Sequence, residues 1–248
     1  MTGTSPPLFE VCIDSVVGAI AAEAGGAGRV ELCSALELGG LSPSIGLLAA
    51  TVAATSLPVM AMVRPRGGNF CYSETEIRIM ETDIAACKKT GAAGLVFGAL
   101  LADGRIDVAT TERLVRAARP LPVTFHRAFD YCADPFLALD QLIDIGVERV
   151  LTSGQAASAP QGRELLRGLI DRATGRIGIL PGGGIRPQHT KALLSYTGAA
   201  EFHATAFGER VDALPPNSKE VQLGSTADAA APRRITTVAR VRQYLAAL

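Results

Sequence analysis

Arg29-Val30-Glu31-Leu32-Cys33-Ser34 reads as a strand carrying a carboxylate and a thiol two residues apart. Phe9-Glu10-Val11-Cys12-Ile13-Asp14 repeats the pattern. Side chains two apart on a strand share a face. Each run therefore sets a Glu and a Cys on one face, with Val11 and Ile13, or Val30 and Leu32, on the other. If the two strands are parallel neighbours, two thiols and two carboxylates share one wall.

Outward from this pair, strand-like and helix-like patterns alternate along the chain. Strands are expected over Leu8–Asp14, Arg29–Ser34, Pro58–Pro65, Gly94–Leu100, Pro122–Phe129, Arg149–Ser153, Arg176–Pro181 and Glu201–Ala206. Helices fall between them, over Ser15–Ala24, Ser44–Ala54, Val108–Arg119, Ala159–Arg172 and Pro187–Tyr196. Another helix starts from a capping box, Ser73 with Glu76 three residues on, and stops at Gly91. The next opens at Asp134-Pro135 and stops at Gly146. An irregular polar stretch, Phe207–Pro232, precedes a last amphipathic helix, Ile235–Leu248.

Strands separated by helices imply right-handed parallel crossovers. Eight such units in 248 residues fit one closed (β/α)8 barrel spanning residues 1–248, with its core at about 8–206 and a C-terminal loop and helix at 207–248. A doubly wound open sheet is the alternative. Its Gly-x-Gly-x-x-Gly turn is missing, because the first strand runs into Asp14-Ser15-Val16-Val17-Gly18.

Composition narrows the function. The chain is 48% hydrophobic and 19% charged, and its 24 Lys plus Arg equal its 24 Asp plus Glu. That balance argues against a nucleic-acid or anionic-membrane binder. No apolar run is long enough to span a bilayer. Met1–Pro7 lacks the basic segment and apolar core of a signal peptide, so none is expected. Five scattered cysteines are not a disulfide framework and point to a reducing, cytoplasmic setting.

In a barrel, chemistry sits at the carboxyl ends of the strands. Strand parity sends Glu10, Cys12, Glu31, Cys33, Met62, Arg64, Thr124, His126, Thr152, Glu201 and His203 inward. Such charges are costly inside a barrel unless they pair or bind something. One reading is an internal salt-bridge network, and the other is a ligand site. His126 and His203 suit general acid–base work, with Glu10, Glu31 or Glu201 as partners. Arg64, Arg66 and Arg127, at or past strand ends, suit a small anion, phosphorylated or carboxylated. Gly182-Gly183-Gly184 after the seventh strand offers backbone N–H groups to an anion, or is a turn required by packing. Cys12 and Cys33 suit one soft metal ion, yet without Cys-x-x-Cys or His-x-x-x-His spacing they read equally as small buried hydrophobes.

The chain resembles the CutC family. The likeness is carried by FEVCIDS at 9–15, RVELCS at 29–34, GGLSP at 39–43, RPRGGNFCY at 64–72 and GLVFGAL at 94–100. It continues with PVTFHRAFD at 122–130, RVLTSGQ at 149–155, PGGGI at 181–185 and EFHA at 201–204. The resemblance implies a cytoplasmic (β/α)8 barrel, a homo-oligomer (dimer or tetramer), and a role in copper homeostasis with Cu(I) on Cys12 and Cys33. It also implies a pocket lined by Glu10, Glu31, Arg64, Arg66, Thr124, His126, Arg127, Asp130, Thr152, Ser153 and His203. It carries no established reaction, so a barrel enzyme acting on a small anion stands as the alternative. The chain departs from the family pattern after the eighth strand, at Phe207-Gly208-Glu209-Arg210, Asn217 and Leu223-Gly224.

Overall fold

The computed structural model describes residues 6–208 and 234–248. Eight parallel strands run in the order β7-β6-β5-β4-β3-β2-β1-β8. They are β1 Leu8–Ile13, β2 Arg29–Leu32, β3 Val59–Met62, β4 Gly94–Phe97, β5 Val123–Phe125, β6 Arg149–Thr152, β7 Gly178–Pro181 and β8 Glu201–Thr205. The two ends of the sheet meet at a parallel bridge between Gly182 and His203, which brings β7 against β8 and makes a (β/α)8 barrel. β1 lies between β2 and β8, so the two Glu–Cys strands are neighbours, with Cys12 opposite Glu31.

The helices are α1 Val16–Gly25, α2 Ile45–Ala54, α3 Glu74–Thr90, α4 Val108–Ala118, α5 Pro135–Ile145, α6 Arg163–Ala173, α7 Pro187–Thr197 and α8 Val238–Ala246. Their ends follow local chemistry. The Ser73 hydroxyl accepts from the Glu76 N–H while the Glu76 carboxylate accepts from the Ser73 N–H, closing the expected capping box of α3. Asp134 accepts from the N–H groups of Phe136 and Leu137, and Pro135 opens α5. None of the described helices is long and apolar enough to cross a membrane.

Between sheet and helices lies the apolar core. Phe9 and Phe202 stack at 4.5 Å between centroids, with Tyr244 of α8 against Phe9 at 4.9 Å. With Phe202 turned to the helices, Glu201 and His203 turn inward.

Three local expectations are corrected. β5 stops at Phe125, and a 3-10 turn, Arg127–Tyr131, takes over. That turn is held by Arg127 donating to Asp130 at 2.7 Å and by Asp130 accepting from the β6 end. Helix α6 starts at Arg163 rather than Ala159, because Gly154 and Gly162 bring two backbones together: a Cβ on Gly162 would lie 2.0 Å from the Ser153 carbonyl oxygen. On β6, Arg149 and Leu151 face the interior, while Val150 joins the outer core and Thr152 reaches Asp130 instead. The inward placement of Thr152 was off by one residue, and such a slip turns every side chain of a strand over.

Candidate functional site

The interior divides into two polar layers. The lower one is an ion-pair network. Arg29 donates to Glu10 and, at 2.8 Å, to Glu201. Arg149 donates to Glu201 at 2.7 Å and to the Thr124 hydroxyl at 3.2 Å. Every charge here has an opposite charge in contact. Arg29 and Arg149 were missed in the sequence, although Arg29 shares strand parity with Glu31. Glu10 links this layer to the upper one: its other oxygen lies 2.8 Å from Nδ1 of His203. Burial works against the Glu10 carboxylate. The bond to His203 and the charge of Arg29 outweigh it and lower its pKa from 4.5 to about 2.

Above, the carboxyl ends of the strands open into a cavity of about 1090 Å3. Cys12, Glu31, Cys33 and His203 line it together, and all are buried. The Cys33 thiol lies 3.5 Å from the Glu31 carboxyl, and Nε2 of His203 lies 3.8 Å from it. These four groups titrate as one unit. Cys33, hydrogen-bonded to Cys12, lowers the Cys12 pKa to about 5, while Cys33 itself is pushed well up. The two thiols therefore titrate as a coupled pair, the first proton leaving more easily than from an isolated buried thiol. Burial raises the pKa of the Glu31 carboxyl well above the ordinary carboxylate range. Burial opposes charge on His203, but Glu31, Cys12 and Glu10 outweigh it and raise its pKa well above 6.5. Met60, Met62, Val96 and Leu36 pack around the two thiols.

On the β3–β5 side, Arg64 is only 5% exposed. Its Nη1 donates to the carbonyls of Leu38 and Gly40, and its Nη2 to that of Gly68. Its guanidinium sits 4.9 Å over the Phe70 ring. No carboxylate pairs with it among the described residues, and its Nε is buried without a partner. His126 stands edge-on to the same ring at 4.9 Å. Its Nδ1 accepts from the Ala128 N–H at 3.2 Å, which places the ring proton of neutral imidazole on Nε2. That Nε2 is also buried and unpartnered. Burial and the charge of Arg64 drop the His126 pKa to about 3. Gly98 makes room for the ring, since a Cβ there would lie 2.7 Å from Nδ1. Phe70 and Gly98 carry no sequence signal that marks them as site residues.

At the mouth, Arg127, Gly183, Arg186, Arg234 and Arg240 line the cavity. The other expected residues stand behind the wall. Arg66 spends its donors on Glu76 and on the carbonyls of Gly67, Asn69 and Cys71, folding the glycine-rich loop. Thr124 belongs to the lower layer. Asp130, Thr152 and Ser153 bond one another and brace Arg127. Gly182 is explained by the barrel seam: a Cβ there would lie 2.5 Å from Leu151 and 3.2 Å from the His203 Cβ. The departures at Glu209, Arg210, Asn217 and Leu223-Gly224 lie outside the described residues.

Comparison with known proteins agrees with this geometry. Residues 7–208 match the model of the CutC family. The chain is 48% identical over 236 residues to a copper homeostasis protein cutC homolog of Mus musculus, covering 95% of this chain and 87% of the relative. The Homo sapiens homolog is 47% identical over 236 residues, covering 95% and 86%. A solved CutC structure from Streptococcus agalactiae superposes with a TM-score of 0.77 at 32% identity, covering 80% of this chain and 98% of that one. Motifs, barrel and relatives agree that this chain belongs to the CutC family, whose mouse and human members bear the name copper homeostasis protein cutC homolog.

Proposed function

We propose that this protein binds Cu(I) at the cavity floor through Cys12 and Cys33, as part of copper homeostasis. One observation carries the reading. The sulfur atoms of Cys12 and Cys33 and a Glu31 oxygen all lie within 4.8 Å of one another, inside a barrel and packed by two methionines. Thiolate is a soft ligand and favours Cu(I). Hydrogen bonding within the thiol pair lowers the Cys12 pKa, so one thiolate ligand forms more easily than at an isolated buried cysteine. Glu31 Oε2 lies 3.5 Å from the Cys33 sulfur, and its Oε1 is buried without a partner. His203, held through Nδ1 by Glu10, sets a positive charge beside the thiolate ligands.

The expected cytoplasmic setting belongs with this reading, because free thiols persist in reducing compartments. So does a dimer or tetramer in solution. The test is a Cu(I) titration under anaerobic conditions against a chromogenic chelator. Wild type is expected to withdraw one Cu(I) per chain, and the Cys12→Ser, Cys33→Ser double variant none. Equal withdrawal by both would overturn the reading.

A second reading, an enzyme acting on a small anion, is favoured by a different observation: the unpaired guanidinium of Arg64 beside the neutral His126. A two-thiol metal clamp needs neither. In that reading Arg64 and His126 hold the substrate, Glu31 and His203 exchange protons with it, and Glu10 positions His203.

A further inference from the structure

Buried cations in proteins are paired, because an unpaired one keeps the full cost of leaving water. The lower layer obeys this rule: Arg29 has two carboxylates and Arg149 has one. Arg64 breaks it. It is as buried as Arg29, yet around it lie only carbonyl oxygens, the Phe70 ring and the Tyr72 hydroxyl, none of them an anion, and its Nε has no hydrogen-bond partner. Carbonyl dipoles orient the guanidinium without neutralising it. Beside it, His126 presents a second buried N–H with no acceptor, and Phe70 touches both groups. Arg64 and His126 both line the open cavity. Among the described residues five arginines line that cavity, where Glu31 is the one carboxyl group in the lining and Arg127 is paired from behind by Asp130.

We propose that Arg64 and His126 form the docking site for the carboxylate of a small organic acid. Its two oxygens accept from Arg64 Nε–H and His126 Nε2–H, over the edge of Phe70. This rests on reading the cavity as a ligand site and extends its anion-binding alternative; it does not depend on copper at the thiols. Two free donors on neighbouring side chains match a carboxylate, which offers two in-plane acceptor oxygens. A phosphate dianion would leave most of its acceptors without donors at this spot. Three of the four remaining N–H groups of Arg64 are tied to the loops after β2 and β3, so the group is preorganised and binding costs little ordering. The arginines at the mouth draw the anion in.

Formate is the probe, because it is the smallest carboxylate and requires nothing of the rest of the ligand. Saturation-transfer NMR reads its contact with the protein, and formamide serves as the uncharged control. Wild type is expected to transfer saturation to formate at millimolar concentration and not to formamide. Inorganic phosphate should fail to compete. Arg64→Met should weaken formate binding by about tenfold or more. His126→Phe, which keeps a ring against Phe70, should weaken it less, with folding checked by circular dichroism. The Cys12→Ser, Cys33→Ser variant should bind formate as wild type does, whatever becomes of its copper. Absence of transfer to formate in wild type, unchanged binding in a folded His126→Phe protein, or competition by phosphate at equal concentration would each overturn the assignment.

Discussion

Two arginines on adjacent strands of one barrel have opposite surroundings. Arg29, at the start of β2, is clamped between Glu10 and Glu201. Arg64, just past the end of β3, is equally buried and touches no carboxylate among the described residues. Charges deep in the barrel are neutralised within the fold and hold strands together. At the carboxyl ends Arg66 and Arg127 also find carboxylates, and Arg64 is left for something else to neutralise. Burial alone does not tell scaffold from site; the completeness of the pairing does.

The largest effect that tests this contrast comes from the paired side. Arg29→Met leaves Glu10 and Glu201 buried without their shared partner, and should cost about 3–5 kcal/mol in urea denaturation. It should also disturb His203, which Glu10 holds. A loss below 1 kcal/mol would mean that the lower layer does not support the barrel.

The two inward histidines sharpen the contrast through pH. His126 is pushed from 6.5 down to about 3, so below pH 6.5 the unfolded chain takes up a proton that the buried ring refuses. Stability should therefore fall as pH drops from 6.5. Glu10, lowered from 4.5 to about 2, adds stability that is present above pH 4.5 and lost as pH falls toward 2. His203 acts in the opposite sense: its pKa is raised, so its contribution is full below 6.5 and is lost as pH rises through the folded value. His126→Phe should remove the decline between pH 6.5 and 4.5, worth about 2 kcal/mol over that window. Denaturation curves collected at both ends of the window check this, and an identical pH slope in variant and wild type would refute it.

Much of the barrel was legible from its punctuation. Ser73 with Glu76, Asp134-Pro135, and the stops at Gly91 and Gly146 mark helix ends by chemistry local to a few residues. The shared wall of Glu31, Cys33, Cys12 and His203 was legible too, since polar and apolar residues alternate on β1, β2 and β8. β6 was not, because Val150-Leu151 are both apolar and give no parity; Thr152 was turned inward in place of Leu151. The roles of Arg66 and Asp130 were hidden for another reason. Both are consumed by loop geometry, which depends on contacts across strands rather than on any spacing along the chain. Gly182 read as an anion cradle or as a turn required by packing, and the close approach of β7 and β8 favours the second.

The central claim is that Arg64 is held for a ligand and not for the fold. Its most direct test is the equilibrium stability of Arg64→Met, measured in urea at pH 7 without added anion. The variant loses bonds to three carbonyls but also sheds a buried charge that nothing in the fold neutralises. A cost of no more than about 1.5 kcal/mol is predicted, well under that of Arg29→Met. A loss as large as that of Arg29→Met would contradict the account and return Arg64 to the scaffold.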